Sequence, residues 1–414
     1  MDLLKIATAG SVDDGKSTLI GRLLYETGAI KEDQLRQIEQ KSRKSGFDYI
    51  DFSLVTDGLL TEREQGITID VSHIFLNTPS RRFVIADSPG HLEYTRNMIT
   101  GASTAELSLI LADARKGITP QTRRHLYLSL LLGIKHIVLC VNKMDLVDYE
   151  ETRFNDITEA FAEMVRGLNP TDVSVASIPV SALHGVNIAE KSPLTGWYAG
   201  LPLLQLLQKV SLSAAREDEP VFQVQYVLRP RTSEWHDYRA YLGKLRSGVL
   251  RSGDEVYILP EGYSATIKQL EQYGQTVEAV HAGENCSVLL DGEFSVSRGQ
   301  LIAGLSHRLK PLKRLEATIC WMDNQPLIPG KKLWLQYGSQ LLQARVQQLL
   351  TLVDTGTFGP TEQPGSFKLN DIGNVDIQLA ECIYVQPYDE SRANGAFILI
   401  DEQSNATVAV GFVR

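Results

Sequence analysis

The chain has 414 residues, 43% of them hydrophobic and 22% charged, and a formal net charge of −9. That length allows two or three separate cores. No run approaches 18 uncharged apolar residues, which excludes a helical membrane span, and the acidic balance argues against a surface coated for nucleic acid.

The first strand is predicted from about Leu3, which leaves no room for a signal peptide, so a cytoplasmic location is expected. Cys140, Cys286, Cys320 and Cys382 lie far apart, without metal or redox spacing. They are expected to be buried free thiols in a reducing compartment.

Ile6-Ala7-Thr8-Ala9 reads as a buried strand, and Leu19, Ile20, Leu23 and Leu24 recur at helical spacing. Between them stand Gly10, Ser11, Val12, Asp13, Asp14, Gly15, Lys16 and Ser17. This is G-x-x-x-x-G-K-[ST], the loop that cradles the phosphates of a nucleoside triphosphate. Its glycines let the backbone wrap the phosphate oxygens, and the helix start offers free N–H groups. Lys16 is expected to reach the β- and γ-phosphates and Ser17 to ligate magnesium.

Asp33 to Lys44 reads as a helix. Thr68 follows in Glu62 to Asp70, just before the predicted strand Ile69 to Leu76. A threonine there can close over magnesium when the γ-phosphate is present and release when it leaves. The strand Phe83 to Ala86 leads into Asp87, Ser88, Pro89, Gly90 and His91. Asp87 is expected to hold magnesium through water, Gly90 to sense the γ-phosphate through its N–H, and His91 to orient or polarise the attacking water. Lys16, Thr68 and His91 are the candidate catalytic residues; no arginine finger is identifiable.

The strand His136 to Val141 leads into Asn142, Lys143, Met144 and Asp145. The Asp145 carboxylate can accept hydrogen bonds from N1–H and the 2-amino group of guanine; adenine lacks both donors. Ser181 and Ala182, after Ile178 to Val180, can place backbone N–H groups near guanine O6. Each tetrad alone is weak, but all of them in order, each after a strand, describe a guanine site. The expected ligands are GTP and Mg2+.

Up to about residue 213 the strands alternate with helices, which predicts an α/β domain: a mostly parallel sheet with helices on both faces. Trp197 to Leu204 reads as the opening of its last helix, and Ser213 to Glu219 as a polar linker. After Pro220 come short strands such as Val221 to Leu228, Arg239 to Leu245 and Glu255 to Leu259, separated by turn residues. Two β-barrels are expected, giving domains at 1–213, 220–306 and 308–414.

Glu62 to Ile69, Asp87 to His91 and Asn142 to Asp145 together resemble the translation-factor class of GTPases. More particular are Gly10 to Leu24, with Asp14 where elongation factors usually show His, Tyr94 to Met98 and Ala112 to Gly117. With Gln225 to Val227, Arg229-Pro230, Ser297 to Gly299 and Ile400 to Val408, these resemble the GTPase subunits, subunit 1, of bacterial heterodimeric sulfate adenylyltransferases (ATP sulfurylases). The resemblance covers nearly the whole chain; Ser88 departs from it, where Thr is commoner.

The resemblance implies an elongation-factor-like fold and GTP hydrolysis coupled to formation of adenylyl sulfate and diphosphate from ATP and sulfate, the first step of sulfate assimilation. It implies a partner, sulfate adenylyltransferase subunit 2, that holds ATP and sulfate in a heterodimer or higher assembly, and no membrane or nucleic acid. The single guanine site agrees that ATP chemistry belongs on another polypeptide. Some relatives carry a fused adenylylsulfate kinase; with no second phosphate loop before Arg414, that activity is not expected. The alternative is an elongation factor delivering aminoacyl-tRNA, which has the same architecture. Asp14 and the Tyr94 to Met98 stretch argue against it.

Overall fold

Apolar runs become a stack of strands. The structure, a computed structural model, describes residues 2–44, 46–55, 71–88, 95–211, 218–230, 238–362 and 364–414. They fall into two compact units, Met1–Leu212 with Thr355–Phe358, and Ser213–Asp354 with Gly359–Arg414.

The first unit carries a six-stranded sheet of β1 (Asp2–Ala9), β2 (Ser72–Asn77), β3 (Arg81–Asp87), β4 (Leu107–Asp113), β5 (His136–Asn142) and β6 (Ser174–Pro179), in the order β2-β3-β1-β4-β5-β6. Only the β2–β3 pair is antiparallel. Every residue of β4 is buried, the continuous apolar run expected of a central parallel strand covered on both faces. Around the sheet stand α1 (Lys16–Glu26), α2 (Glu32–Lys44), α3 (Thr95–Ala102), α4 (Pro120–Leu131), α5 (Glu151–Leu168) and α6 (Leu203–Lys209). Leu19, Ile20 and Leu23 of α1 and Leu203 and Leu207 of α6 share one core with Leu4, Ile6, Leu109 and Cys140. Helix α4 lies against β4, and α5 against β5. Thr119 caps α4, accepting from the Thr122 N–H, with Pro120 at the first helical position.

The last helix starts at Leu203, not at Trp197. Pro202 holds an extended φ,ψ of −63°, 158° at its start, while the Trp197 ring packs tilted and the Tyr198 ring edge-on against Phe154 of α5.

The second unit contains two closed rings of six antiparallel strands. The first runs Glu255–Leu259, Leu301–Gly304, Val221–Leu228, Ala240–Ser247, Asn285–Asp291, Tyr263–Gln272 and back to Glu255–Leu259. The second runs Lys332–Tyr337, Ala396–Ile400, Thr407–Val413, Lys310–Trp321, Ile372–Val385, Gln340–Val353 and back to Lys332–Tyr337. Closure removes the open edges that would otherwise recruit other strands. Each ring has its own apolar core, around Phe222, Tyr241 and Ile258 in the first and Trp321, Tyr337 and Phe367 in the second.

Three of the four cysteines are buried, but Cys382 is exposed. The pairing of Ile372–Val385 with Lys310–Trp321 slips between Leu312 and Arg314. Ala380, Glu381 and Cys382 lie opposite that slip, and all three face solvent. Among the described residues no helix is long and apolar enough to cross a membrane.

Candidate functional site

The site grows from the carboxyl ends of β1, β3, β5 and β6, where an open α/β sheet collects its ligands. β1 ends at Ala9, the loop turns through residues 10–15, and α1 opens at Lys16. The turn needs a left-handed residue at Gly15, with φ +90°, a region closed to most side chains. A Cβ at Gly15 would also run into Nδ2 of Asn142.

Inside the loop, Lys16 Nζ donates to the carbonyls of Gly10 at 2.7 Å and Ser11 at 3.1 Å. The ammonium is thereby held within the ring of backbone that would receive phosphate. Burial pushes the Lys16 amine down, opposed by the carboxylates of Asp87, Asp14 and Asp13. Asp14 is 1% exposed, and its Oδ2 accepts the Ser11 N–H at 2.7 Å. Oδ2 thus helps to shape the loop, while Oδ1 is buried without a hydrogen-bond partner among the described residues. Asp13 is exposed; Val12 and Ser17 are half-buried.

Asp87 closes β3 and is 1% exposed, with Thr8 Oγ1 donating to its Oδ1 at 3.2 Å. Ser88 is fully buried, its Oγ against Gly101 of α3. Thr68, Pro89, Gly90 and His91 lie outside the described residues.

The predicted base motifs stand at the ends of β5 and β6. Asn142 donates through Nδ2 to the Asp14 carbonyl at 2.8 Å and accepts at Oδ1 from the Ala182 N–H at 3.0 Å. Ser181 Oγ donates to Asp145 Oδ1 at 2.5 Å and accepts the His184 N–H at 3.3 Å. The Met144 N–H bonds the Val180 carbonyl at 3.2 Å. The two predicted tetrads are therefore one interlocked surface, joined to the phosphate loop through Asn142. Lys143 takes a left-handed φ of 61°, and its Nζ pairs with Asp113 Oδ2 at 3.2 Å. Asp113, at the end of β4, was not among the predicted site residues, nor was Thr8.

A hard divalent ion fits the chemistry on offer. Ser17 and Asp87 present hydroxyl and carboxylate oxygens, and among the described residues no three His, Cys, Asp or Glu side chains form a cage of their own. Such a donor set suits magnesium, which takes one or two protein oxygens and completes its shell with phosphate and water.

The family of the elongation factor Tu GTP binding domain matches residues 1–221, and that of the GTP-eEF1A C-terminal domain matches residues 314–414. A bifunctional enzyme CysN/CysC of Mycobacterium tuberculosis is 46% identical over 99% of this chain and 67% of its own length. The sulfate adenylyltransferase subunit 1 of Bacteroides fragilis is 43% identical over 100% of this chain and 86% of its own length. That of Teredinibacter turnerae is 42% identical over 99% and 87%. The chain belongs to the sulfate adenylyltransferase subunit 1 family. Its first 221 residues are a GTP binding domain of the elongation factor Tu type, in keeping with the translation-factor resemblance of Glu62 to Ile69, Asp87 to His91 and Asn142 to Asp145. A solved structure of sup35 with GDP covers 100% of this chain and 93% of its own, at 20% identity and a TM-score of 0.45.

Proposed function

We propose that this chain is the GTP-hydrolysing subunit of a sulfate adenylyltransferase, and that its hydrolysis of GTP drives formation of adenylyl sulfate and diphosphate from ATP and sulfate on a partner subunit. The observation that carries the reading is the match over essentially the whole chain, at 41–46% identity, to proteins that bear the subunit 1 and CysN/CysC names. The architecture supports it: the described residues offer one phosphate loop, tied through Asn142 to a motif whose carboxylate, Asp145, would select guanine. ATP and sulfate then belong to a second polypeptide, which is the proposed partner.

Phosphoryl transfer is mostly positioning and neutralisation of charge. Gly10 to Ser17 would hold the triphosphate with backbone N–H groups, and Lys16 would meet the β- and γ-oxygens; its position inside the loop, on the Gly10 and Ser11 carbonyls, supports that role. Asp145, fixed by Ser181, accepts the N1–H and 2-amino group of guanine, while the Ala182 backbone meets its O6. Ser17, Thr68 and, through water, Asp87 are the residues that would hold magnesium, which when bound would supply positive charge against the triphosphate. His91, two residues past Pro89, would orient the attacking water; its place in Asp87-x-Pro-Gly-His supports that role. Adenylyl sulfate is an uphill anhydride, so hydrolysis of a second nucleotide is what would pull the reaction forward.

The test is diphosphate release from ATP and sulfate by this chain with its partner subunit, with GTP or with a non-hydrolysable analogue. Stimulation by GTP alone establishes the coupling. GTP hydrolysis without adenylyl sulfate in either case, together with GTP-dependent binding of aminoacyl-tRNA, would replace this reading with an elongation factor.

A further inference from the structure

The stretch Ala112 to Gly117 takes no part in the mechanism above, yet it is built as tightly as the phosphate loop. Asp113 stands opposite Asn142 in the β4–β5 register, and the Ala114 N–H bonds the Asn142 carbonyl at 2.8 Å. The N–H groups of Lys116 and Gly117 both return to the Asp113 carbonyl, at 3.0 and 2.8 Å. From α5, Arg153 donates to the carbonyls of Ala114 at 2.6 Å and Arg115 at 2.9 Å. The backbone of this loop is therefore fixed beside the base motif.

The Asp113 carboxylate, 0% exposed, collects two cations. Arg115 grips it with a fork, Nε to Oδ1 at 3.1 Å and Nη2 to Oδ2 at 2.7 Å, and its own N–H adds a third bond to Oδ1 at 2.9 Å. Lys143 takes Oδ2 at 3.2 Å. Burial alone would push the Asp113 carboxyl up, but the bonds from Arg115 and Lys143 outweigh it and hold it well below the usual carboxylate range. Arg115 Nη2 and Lys143 Nζ share Asp113 Oδ2, and Lys143 stands two residues before Asp145; the Asp113 bonds raise the Arg115 guanidinium pKa, with a smaller contribution from the Asp145 charge.

This arrangement sets up a competition. Asp145 can serve guanine only while its acceptor oxygens are not occupied by a protein cation. A fork-shaped guanidinium is the strongest such competitor, because it satisfies a carboxylate with two parallel bonds. We infer that Asp113 is a positioning residue for base recognition: by holding the Arg115 guanidinium on its own carboxylate, it keeps Asp145 open to the guanine ring. The inference rests on the reading of Asn142 to Asp145 as the guanine site.

The test measures Kd for GDP, GTP and xanthosine diphosphate on the full chain. Asp113→Asn keeps the shape and removes the charge that holds Arg115. GDP and GTP affinity should each fall about tenfold, the worth of one charge-assisted bond lost to a competitor, and the preference for GDP over xanthosine diphosphate should shrink. Adding Arg115→Ala to that variant should restore most of the affinity, because the competitor is gone. Arg115→Ala alone should bind as the parent does. Unchanged binding by Asp113→Asn overturns the inference, as does a weakened variant of native thermal stability that Arg115→Ala does not rescue. If Asp113→Asn does not fold, a crystal structure of the parent with GDP decides: Arg115 on Asp113 supports the inference, and Arg115 on Asp145 or on the base overturns it. A parent chain with no preference for guanine would defeat the underlying site reading instead.

Discussion

Asn142 donates its Nδ2 hydrogen to the backbone carbonyl of Asp14 at 2.8 Å, and this bond joins the phosphate loop to the base motif across 128 residues of sequence. Under the proposed function, phosphate and base binding would be coupled through this one carboxamide. Asn142→Asp removes the donor and sets a carboxylate against the Asp14 carbonyl. A buried group left without its partner costs about 1–3 kcal/mol. GTP and GDP should both bind roughly 10–100-fold more weakly, since both use the same base and β-phosphate contacts. Titration with a fluorescent guanine nucleotide checks this. A loss confined to GTP would mean that Asn142 acts on the γ-phosphate instead.

Gly15 has two independent reasons to be glycine: its φ of +90° and the Nδ2 atom of Asn142 where a Cβ would stand. Gly15→Ala should abolish measurable nucleotide binding. Gly28 is the control, since it has φ +68° with nothing within 4 Å. Gly28→Ala should lower stability by about 1 kcal/mol, the cost of a left-handed side chain, and leave nucleotide affinity alone. Thermal melts and nucleotide titrations of the two variants separate strain from steric conflict.

Much of the first unit was legible because its strands are continuous apolar runs, each ending in a loop with distinctive chemistry. Ala9, Asp87 and Asn142 close their strands where the motifs begin. What was not legible depends on partners distant in sequence. The role of Asp113 needs the register that sets it against Asn142, and no local pattern announces that pairing. Barrel closure needs Glu255–Leu259 to meet both Tyr263–Gln272 and Leu301–Gly304, which turn residues alone do not specify. Cys382 lies in an apolar neighbourhood of sequence, yet a slip in its partner strand turns it outward. Trp197 and Tyr198 fit a helix pattern, but their rings serve the core beside Phe154.

Asp145→Asn exchanges an acceptor for a donor on one side of the carboxyl group. The Ser181 hydroxyl, which donates to Asp145 Oδ1 at 2.5 Å, can still donate to the remaining carbonyl. The amide then matches the 2-oxo group of xanthine and not the 2-amino group of guanine. Preference should move from GTP toward xanthosine triphosphate by at least about a hundredfold, the scale set by leaving a site's polar groups unpaired. Competition between the two nucleotides measures it, and a variant that still prefers GTP would remove Asp145 from the base site.

His91→Ala tests the water-orienting role. Nucleotide affinity should change little, because the role proposed for the imidazole is on the attacking water, although His91 also stands among the candidate GTP-binding residues. Partner-stimulated GTP hydrolysis should fall by roughly 10²–10⁴, the range for loss of a positioned acid–base group. Single-turnover hydrolysis with the partner present is the measurement, and an unchanged rate would exclude His91 from the chemical step.

His125 of α4 makes stability depend on pH. It is 0% exposed, its Nε2 lies 3.0 Å from Gln121 Nε2, and among the described residues its Nδ1 has no hydrogen-bond partner. Burial, with the charges of Lys16 and Arg124, pushes its pKa down to about 3. The unfolded chain takes up the proton near pH 6.5, while the folded chain refuses it until about pH 3. Above pH 6.5 neither state is protonated there, and the full stability is present. As pH falls below 6.5 the unfolded state gains a proton that the folded state does not, so stability is lost by about 1.4 kcal/mol per pH unit down to about pH 3. His125→Gln removes the titrating group. Denaturant unfolding at pH 6, 5 and 4 should show the parent losing stability more steeply than the variant by about that amount per unit. Equal slopes would mean that His125 takes up its proton in the folded protein, and that the space around it is open to water.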